Sequence, residues 1–405
     1  MGDIYCIFYE KAVQLLKQDG TLCFITSNKW MRAGYGEKTR QLLSEKTNPI
    51  KLIDFAGTKV FESATVDVNI LLAKKQKNNQ KTLACIIKDN CTENLSDYIK
   101  QNSTEISFTN SENWVILNPI ELSIKKKIEQ YGTKLQDWDL SINRGILTGY
   151  NDAFIIDEAT KNSLITADPK SAELIRPILR GKDIRKYSYI FNNLWVIFVP
   201  CGFTKLNCNN KNPENWFRIN YSSIYNYLVN IENKLSKKRN RKSKGLYNRD
   251  DQGDFWWELR SCKYLDDFNK QKIIYPETTQ GAYFALDNDK FVIDKTCFMI
   301  TGSNRPYYLL ATLCSSLFEF AYKRIFSSIE LGSKGYQYNK HALIKLPIIN
   351  ESFIPKEILD EIEQLICNNQ YMHNNHQIFE RIDQIIFKLY SITPEEINYI
   401  KMSKE

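Results

Sequence analysis

The first 77 residues alternate between helix-like and strand-like patterns, and this alternation constrains the fold more than any other feature. Apolar residues from Ile7 to Leu16 recur at helical spacing behind Asp3, a candidate helix cap, and a Gln-Asp-Gly turn follows. Leu22 to Thr26 is a short apolar run, typical of a buried parallel strand. A helix that leads into such a strand needs other strands beside it, so the segment resembles the interior of an α/β sheet.

Two more predicted strands follow in this region. Residues 36–44 have a helical pattern and residues 50–55 (IKLIDF) are a predicted strand. Residues 66–74 (VDVNILLAK) are predicted to form another strand, antiparallel and at or near the edge. The first domain is therefore predicted to be the end of an α/β sheet spanning residues 1–77.

The rest of the chain divides into three further predicted regions. Residues 78–134 form a connecting segment with short strand-like pieces, and residues 135–350 mix short β-rich runs with helical ones. Residues 351–405 carry two amphipathic helices and a capped third, TPEEINYIKM. The pattern predicts a mixed α+β domain followed by a short helical tail.

Composition limits the classes of function. A chain of 405 residues with 43% hydrophobic and 25% charged residues is typical of a globular protein of two or three domains. No apolar run approaches the ~20 residues that cross a bilayer, so no membrane partner is expected. Ten scattered cysteines without a CxxC pair, and no apolar leader at Met1, favour reduced thiols in the cytoplasm. With three histidines, no metal site is expected.

A basic run stands out against the mild net charge of +8. Between Lys234 and Arg249 there are eight cations and no acid. Such a cluster releases counterions when it meets a nucleic-acid backbone, although a solvated loop has the same composition. The cations assigned to phosphate contact in this run are Lys237, Lys238, Arg239, Arg241, Lys242 and Lys244.

The amino-terminal region resembles a known family. The similarity is to the second half of the methyltransferase domain in adenine-specific DNA methyltransferases, in particular the TaqI-like and type IIG enzymes. It is carried by three segments: GDIYCIFYEKAVQLLKQDGTLCFITSNKWMRAGYG, LIDF and KVFESATVDVNILLAKK. The resemblance implies the end of a Rossmann-like sheet that binds S-adenosylmethionine in the intact family. It implies that Phe8 borders the cofactor pocket and that Phe61 stacks on a flipped adenine. Without the resemblance, Phe8 on its helix face is interpreted as a core aromatic, and Phe61 as an edge aromatic that packs on the sheet.

The central region resembles the TaqI-like target-recognition domain. This similarity implies double-stranded DNA as the partner. It is carried by the segments LSINRGILTGYNDAFIID, LIRPILRGKDIRKY and GYQYNKHALIKLPI. Arginine and asparagine read guanine and adenine edges bidentately, whereas the cations around Gly181 suit phosphate contact. A turn with a solvated arginine is the alternative. The candidate DNA-binding residues of this region are Arg144, Thr148, Asn151, Arg180, Lys182, Arg185, Tyr338 and Asn339.

Two other motifs have open or structural interpretations. SNKW, at residues 27–30, follows the carboxyl end of a predicted strand, where α/β sheets bind ligands, unless Trp30 simply plugs the sheet end. RDDQGDFWWELR, at residues 249–260, contains four acids but lacks the following Glu-x-Lys of a nuclease. Trp256 and Trp257 are expected to be core anchors.

The chain departs from the family at two catalytic motifs. It contains neither an Asn-Pro-Pro-aromatic motif nor a glycine-rich cofactor loop, since its Asn-Pro pairs at Asn48, Asn118 and Asn212 continue with Ile, Ile and Glu. The expectation is a truncated methyltransferase that recognises DNA, does not bind S-adenosylmethionine alone and is inactive alone. An upstream methyltransferase or nuclease polypeptide is the expected partner. The alternatives are a non-catalytic specificity subunit that acts with separate catalytic chains, and a decayed gene product.

Overall fold

The structure is a computed structural model. It describes residues 2–56, 58, 60–61, 66–87, 94–236, 245–326, 330–331, 335–368 and 375–403. No helix within these ranges is both long enough and apolar enough to cross a lipid bilayer. The cysteines within them are free thiols.

A five-stranded sheet forms the amino-terminal part of the described chain. Its strands are β1 (Thr21–Ser27), β2 (Asn48–Asp54), β3 (Val68–Lys74), β4 (Thr82–Ile86) and β5 (Thr104–Ile106), in the order β1-β3-β2-β4-β5. Strand β3 is antiparallel to both β1 and β2, so those two strands run parallel to each other. The flanking helices are α1 (Tyr5–Leu15), α2 (Glu37–Lys46) and α3 (Leu95–Asn102).

Several details of this sheet differ from the sequence prediction. Strand β3 is antiparallel and near the edge, as predicted, but it is not itself the edge strand, because both β1 and β2 pair with it. Strand β1 lies at an edge, and its outward residues are exposed, so it is not a buried parallel strand. Asp3 does not cap α1, which begins after Ile4 without a side-chain cap. The sheet also continues beyond residue 77, because β4 and β5 add to it.

The remaining elements build the larger part of the molecule. The strands are β6 (Thr133–Lys134), β7 (Ser141–Arg144), β8 (Ile155–Asp157), β9 (Ile175–Leu179), β10 (Ile184–Arg185), β11 (Ser188–Tyr189), β12 (Leu194–Ile197), β13 (Lys272–Pro276), β14 (Thr278–Thr279), β15 (Ala285–Asp287), β16 (Val292–Ile293), β17 (Cys297–Thr301), β18 (Glu330–Leu331), β19 (Gly335–Gln337) and β20 (Pro347–Ile348). The helices are α4 (Pro119–Tyr131), α5 (Asn151–Phe154), α6 (Glu158–Ala167), α7 (Phe203–Asn207), α8 (Pro213–Asn220), α9 (Ser222–Ser236), α10 (Pro306–Cys314), α11 (Ser316–Ala321), α12 (Lys340–Leu343), α13 (Lys356–Cys367), α14 (His376–Leu389) and α15 (Pro394–Met402).

Strands β15, β13, β17 and β7 form, in that order, an antiparallel sheet that we call the central sheet. It is buried on both faces. Along β13, Ile273 and Tyr275 enter one hydrophobic core, while Ile274 enters a second core on the opposite face. Successive side chains of a strand point to opposite faces, so one strand supplies both cores.

The carboxy-terminal helices pack onto the first of these cores. Ile362 on α13 and Ile386 on α14 are fully buried there. Helix α15 begins with a capping box in which Thr393 and Glu396 satisfy each other's backbone N–H groups. The prediction of two amphipathic helices followed by a capped third is confirmed, and their apolar faces enter the core that lies on one face of the central sheet.

A buried ion pair joins two strands of the central sheet. Lys272 on β13 lies 2.6 Å from the carboxylate of Asp287 on β15, and both side chains are fully buried. The Lys272 ammonium also donates to the Phe268 carbonyl, and the Asp287 carboxylate accepts from the backbone N–H groups of Asp289 and Phe291. Burial lowers the pKa of Lys272, partly offset by Asp287.

Removal of this ammonium should destabilise the fold strongly. Lys272→Met keeps the volume but leaves the Asp287 carboxylate buried without a cation, which costs about 3–5 kcal/mol. Urea denaturation measures the free energy of unfolding. The matched control is Lys100→Met, which breaks an exposed Lys100–Asp97 pair and should cost less than about 1 kcal/mol. Equal stability of the two variants would contradict the prediction.

Candidate nucleic-acid interface

One end of the central sheet opens into a cleft of about 980 Å³. Arg144 enters it from the end of β7 and Glu277 from the residue after β13, while Lys295 lies in the turn before β17. These positions meet at the same sheet end, because Pro276 pairs with Cys297 and Arg144 pairs with Phe298. The opposite wall comes from the segment that runs from the end of β9 through β10, which contributes Arg180, Lys182 and Arg185.

The lining of the cleft is predominantly basic. Five cations, Arg144, Arg180, Lys182, Arg185 and Lys295, face two acids, Glu277 and Asp294. The sequence predicted four of these cations from two separate motifs, and the fold brings both motifs together. Lys295 and Glu277 were missed, because each follows or precedes an apolar strand whose register the sequence does not reveal.

The cations differ in how they are held. Lys182 and Lys295 are exposed and have no ion-pair partner within the described residues. Arg180 lies 3.7 Å from the carboxylate of Asp183, and Arg185 donates to the main-chain carbonyls of Lys182 and Ile184. The two lysines are therefore the most available point charges of the cleft.

Arg144 is held from several sides. Its Nε donates to the Lys295 carbonyl at 2.7 Å, and its Nη2 donates to the carboxylate of Glu277. The guanidinium carbon lies 5.5 Å from the centre of the Phe298 ring. The side chain nevertheless remains 44% exposed, so a fixed guanidinium faces the cleft.

Gly145 makes a close backbone approach beside this arginine. Its N–H donates to the Cys297 carbonyl, and a Cβ at this position would lie 2.0 Å from the Asp294 carbonyl oxygen. This neighbour is the protein's own backbone, and the contact joins β7 to the turn that carries Lys295.

The other candidates of the INRGILTGYN motif (residues 142–151) lie outside the lining of the cleft. Thr148 is 2% exposed, and its hydroxyl donates to the Asn151 side chain at 2.6 Å. The Thr148 carbonyl accepts from the buried Arg249 guanidinium. Thr148 is therefore a structural residue and not a base reader, whereas Asn151 is exposed at the start of α5.

The loop candidates near α12 also have structural contacts. Tyr338 is 1% exposed and packs against Tyr275, Phe284 and Tyr322, so its ring does not face a groove as expected. The Asn339 side chain accepts from the Ala342 N–H and caps α12.

The basic run is described only at its ends. The candidates Lys237, Lys238, Arg239, Arg241, Lys242 and Lys244 lie outside the described residues. Arg249, at the end of the run, is buried, and its guanidinium donates to main-chain carbonyls of Thr148, Leu246, Trp256 and Glu258. Burial lowers the pKa of Arg249 to about 10, so it stays charged at neutral pH as a structural cation.

Two acids of the RDDQGDFWWELR motif (residues 249–260) also have contacts within the protein. Cys201, Asp254 and Glu258 offer ligand atoms within 4.8 Å of one another, as a metal site would. However, the Glu258 carboxylate already accepts from the backbone N–H groups of Gly202, Thr204 and Asp254. Asp254 pairs with Lys205. Trp257 is buried in the adjacent core, with Trp256 packed against that core, which confirms both as core anchors.

The aromatic candidates of the first sheet are separate from the cleft. Phe8 is 56% exposed on α1, and Phe61 is 44% exposed. In SNKW, Trp30 is fully buried between Tyr9 and Trp114, and its indole N–H donates to Asn69. This burial agrees with the alternative in which Trp30 plugs the sheet end.

Substitution of Gly145 should disturb the cleft and the fold together. In Gly145→Ala the new methyl group meets the Asp294 and Ile293 carbonyl oxygens at 2.0 and 2.4 Å, so backbone must move, at a cost of about 1–3 kcal/mol. Thermal unfolding measures the loss. Gly34→Ala is the control, since nothing lies within 4 Å of its Cβ position. A Gly145→Ala variant as stable as the control would show that the backbone at Ile293 and Asp294 accommodates the methyl group without loss of stability, which contradicts the prediction.

Comparisons with known proteins agree with this architecture. Residues 1–61 match the Eco57I restriction-modification methylase family, and residues 176–348 match the TaqI-like C-terminal specificity domain. The chain is 20% identical over 425 aligned residues to the Type II methyltransferase M.BstVI of Geobacillus stearothermophilus, covering 100% of this chain and 70% of that protein. It is 26% identical over 252 residues to M.MjaIV of Methanocaldococcus jannaschii, covering 60% of this chain and 74% of that protein.

A solved structure shares the fold. The Type IIL restriction-modification enzyme MmeI, determined in complex with DNA, superposes with a TM-score of 0.54 at 11% identity. The match covers 99% of this chain and 52% of the MmeI chain, so the present chain spans about half of that enzyme. The mixed α/β fold is thus similar to that of a restriction–modification enzyme. Residues 1–61 are therefore similar to the Eco57I restriction-modification methylase family and residues 176–348 to the TaqI-like C-terminal specificity domain, and the curated relatives that the chain matches are Type II methyltransferases.

Proposed function

We propose that this chain is the DNA-recognition part of a site-specific adenine methyltransferase, and that double-stranded DNA binds in the basic cleft. The observation that supports this most is the convergence of Arg144, Arg180, Lys182, Arg185 and Lys295 in one cleft. All of these cations except Arg144 come from the segment that matches the TaqI-like specificity domain.

The chemistry of the lining suits a duplex. Exposed lysines such as Lys182 and Lys295 contact phosphates as point charges and release counterions, which supplies affinity without sequence preference. A held arginine offers several donors in fixed directions, which base edges require. The cleft combines both kinds of group at one sheet end.

The methyltransferase role concerns the first sheet. In the intact enzyme, S-adenosylmethionine would donate a methyl group to the amino nitrogen of a flipped adenine, with Phe61 stacked on the base and Phe8 near the cofactor. Both rings are exposed, as those roles require. The 405 residues contain no Asn-Pro-Pro-aromatic motif and no glycine-rich loop, so we propose that this chain alone neither binds the cofactor nor transfers the methyl group.

An exposed apolar face offers a place for a catalytic partner. Ile4, Ile7, Phe8 and Leu15 of α1 are all more than half exposed, and the adjacent strand β1 leaves one edge unpaired within the described residues. Unpaired edges and apolar patches are pairing surfaces. We propose that a methyltransferase polypeptide, with or without a nuclease, covers this face. A separate specificity subunit remains the second candidate, favoured by the missing catalytic motifs.

The cleft should bind duplex DNA with a salt-dependent affinity. The expected result for the purified chain is a linear fall of log affinity with log salt, measured by fluorescence anisotropy on mixed-sequence duplexes. Lys182→Ala or Lys295→Ala should each lower the slope by about one and weaken binding about fivefold at ~0.15 M salt.

The control for these variants is Lys356→Ala, which removes an exposed lysine outside the cleft. It should leave the slope unchanged. If it lowers the slope as much as Lys182→Ala, binding is spread over the whole surface and the cleft is not the interface. Failure of the folded wild-type chain to bind at low salt would overturn the proposed function.

The chain alone should be inactive in methyl transfer. Incubation with duplex DNA and methyl-labelled S-adenosylmethionine should leave the DNA unlabelled, because the residues that grip the adenine amino group and the methyl donor are absent. The control is an intact Type II adenine methyltransferase in the same assay. Labelled adenine produced by this chain would contradict the proposal.

A further inference from the structure

We infer that Arg144 reads one guanine of the recognised sequence and that Glu277 is the positioning residue that holds it. The inference rests on the proposed function, in that the cleft must bind duplex DNA. It goes further, because it assigns a base and a partner residue to a single position of the site.

The guanidinium of Arg144 has the donors that guanine requires. Its contacts to the Lys295 carbonyl and the Glu277 carboxylate take one N–H from Nε and one from Nη2. An arginine has five N–H donors, so both of Nη1 and one of Nη2 remain. Two donors side by side match the N7 and O6 acceptors of guanine in the major groove, whereas adenine presents a donor beside its N7.

Glu277 is itself held by the main chain. Its N–H donates to the Thr296 carbonyl at 2.8 Å, and its carbonyl accepts from the Tyr338 N–H at 2.9 Å. Its side chain is 27% exposed, less than that of Arg144, and its carboxylate orients the guanidinium. An arginine clamped in this way loses little conformational freedom on binding, which favours a directional contact over a loose phosphate contact.

The Glu277 carboxylate also has a second oxygen that Arg144 does not contact. Only Oε2 of Glu277 is engaged by Arg144, and Oε1 has no hydrogen bond within the described residues. A carboxylate oxygen accepts from the N4 amino group of cytosine. The Arg144–Glu277 pair therefore presents donors beside an acceptor, which is the complement of a G·C base pair in the major groove.

The other cations of the cleft lack this arrangement. Lys182 and Lys295 are single point charges that cannot bind bidentately. Arg185 turns its Nη1 toward two main-chain carbonyls, and Arg180 lies beside the buried Asp183. Among the described cations of the cleft, Arg144 is thus the one whose geometry suits base reading.

The test is selection of bound duplexes from a randomised library by the purified full chain and its variants. The wild-type motif should contain a G·C position whose preference disappears in both Arg144→Lys and Glu277→Gln, while the other positions keep theirs. Loss of a good bidentate contact should reduce discrimination at that position roughly 10- to 100-fold. A contact that only stabilised the fold would not change the preference at one position alone.

Matched controls come from an exposed pair of the same kind. Arg381 on α14 donates to the Glu361 carboxylate on α13, outside the cleft. Arg381→Lys and Glu361→Gln should leave the selected motif unchanged. A second measurement needs no variant protein: 7-deazaguanine at the assigned position lacks N7 and should weaken wild-type binding about tenfold, but not the binding of Arg144→Lys.

Each other outcome has a definite meaning. If Arg144→Lys weakens all sequences equally and keeps the motif, Arg144 is a phosphate contact, so the inference fails while the proposed function stands. If the motif is unchanged in Glu277→Gln, or 7-deazaguanine has no effect on the wild type, the inference also fails. A folded wild-type chain that binds no duplex overturns both the inference and the proposed function.

Discussion

Burial of the central sheet on both faces is the constraint on which the rest of the structure depends. Because Ile273 and Tyr275 enter one core and Ile274 the other, these strands have no solvated face on which to carry polar side chains. Polar groups of β13 and β17, which are buried along their whole length, can reach solvent only where a strand ends. Arg144, Glu277 and Lys295 all occupy such ends, which explains why the cleft forms there.

Buried cations hold the segments around this sheet in place. The Lys272–Asp287 ion pair connects β13 to β15. The Arg249 guanidinium donates hydrogen bonds to main-chain carbonyls in three parts of the chain. In the first sheet, Arg40 does the same for the carbonyls of Trp30, Ala33 and Ser111, and burial lowers its pKa to about 10. These charges are costly to desolvate, so their contacts specify one arrangement of the loops that they join.

The sequence predicted what depends on local pattern and missed what depends on register. The carboxy-terminal helices and the cations at Arg180, Lys182 and Arg185 follow from spacing and composition within a few residues. The central strands read as continuous apolar runs, so no alternation reveals their register, and Glu277 could not be placed beside Arg144. Thr148 and Tyr338 were expected to face DNA because they lie in motifs that resemble the target-recognition domain, yet residues distant in sequence bury them.

The cleft proposed to bind DNA and the face proposed to bind a catalytic partner belong to separate parts of this chain. The cores of the first sheet and those under the central sheet share no residue. Arg324 links the two parts, since its guanidinium donates to the Ile116 carbonyl and the Glu121 carboxylate. The basic cleft is built only from residues of the second part, whereas the exposed apolar face belongs to α1. Substitutions in the cleft are therefore expected to leave the surface proposed for a catalytic partner undisturbed, because the lining of the cleft and α1 share no residue.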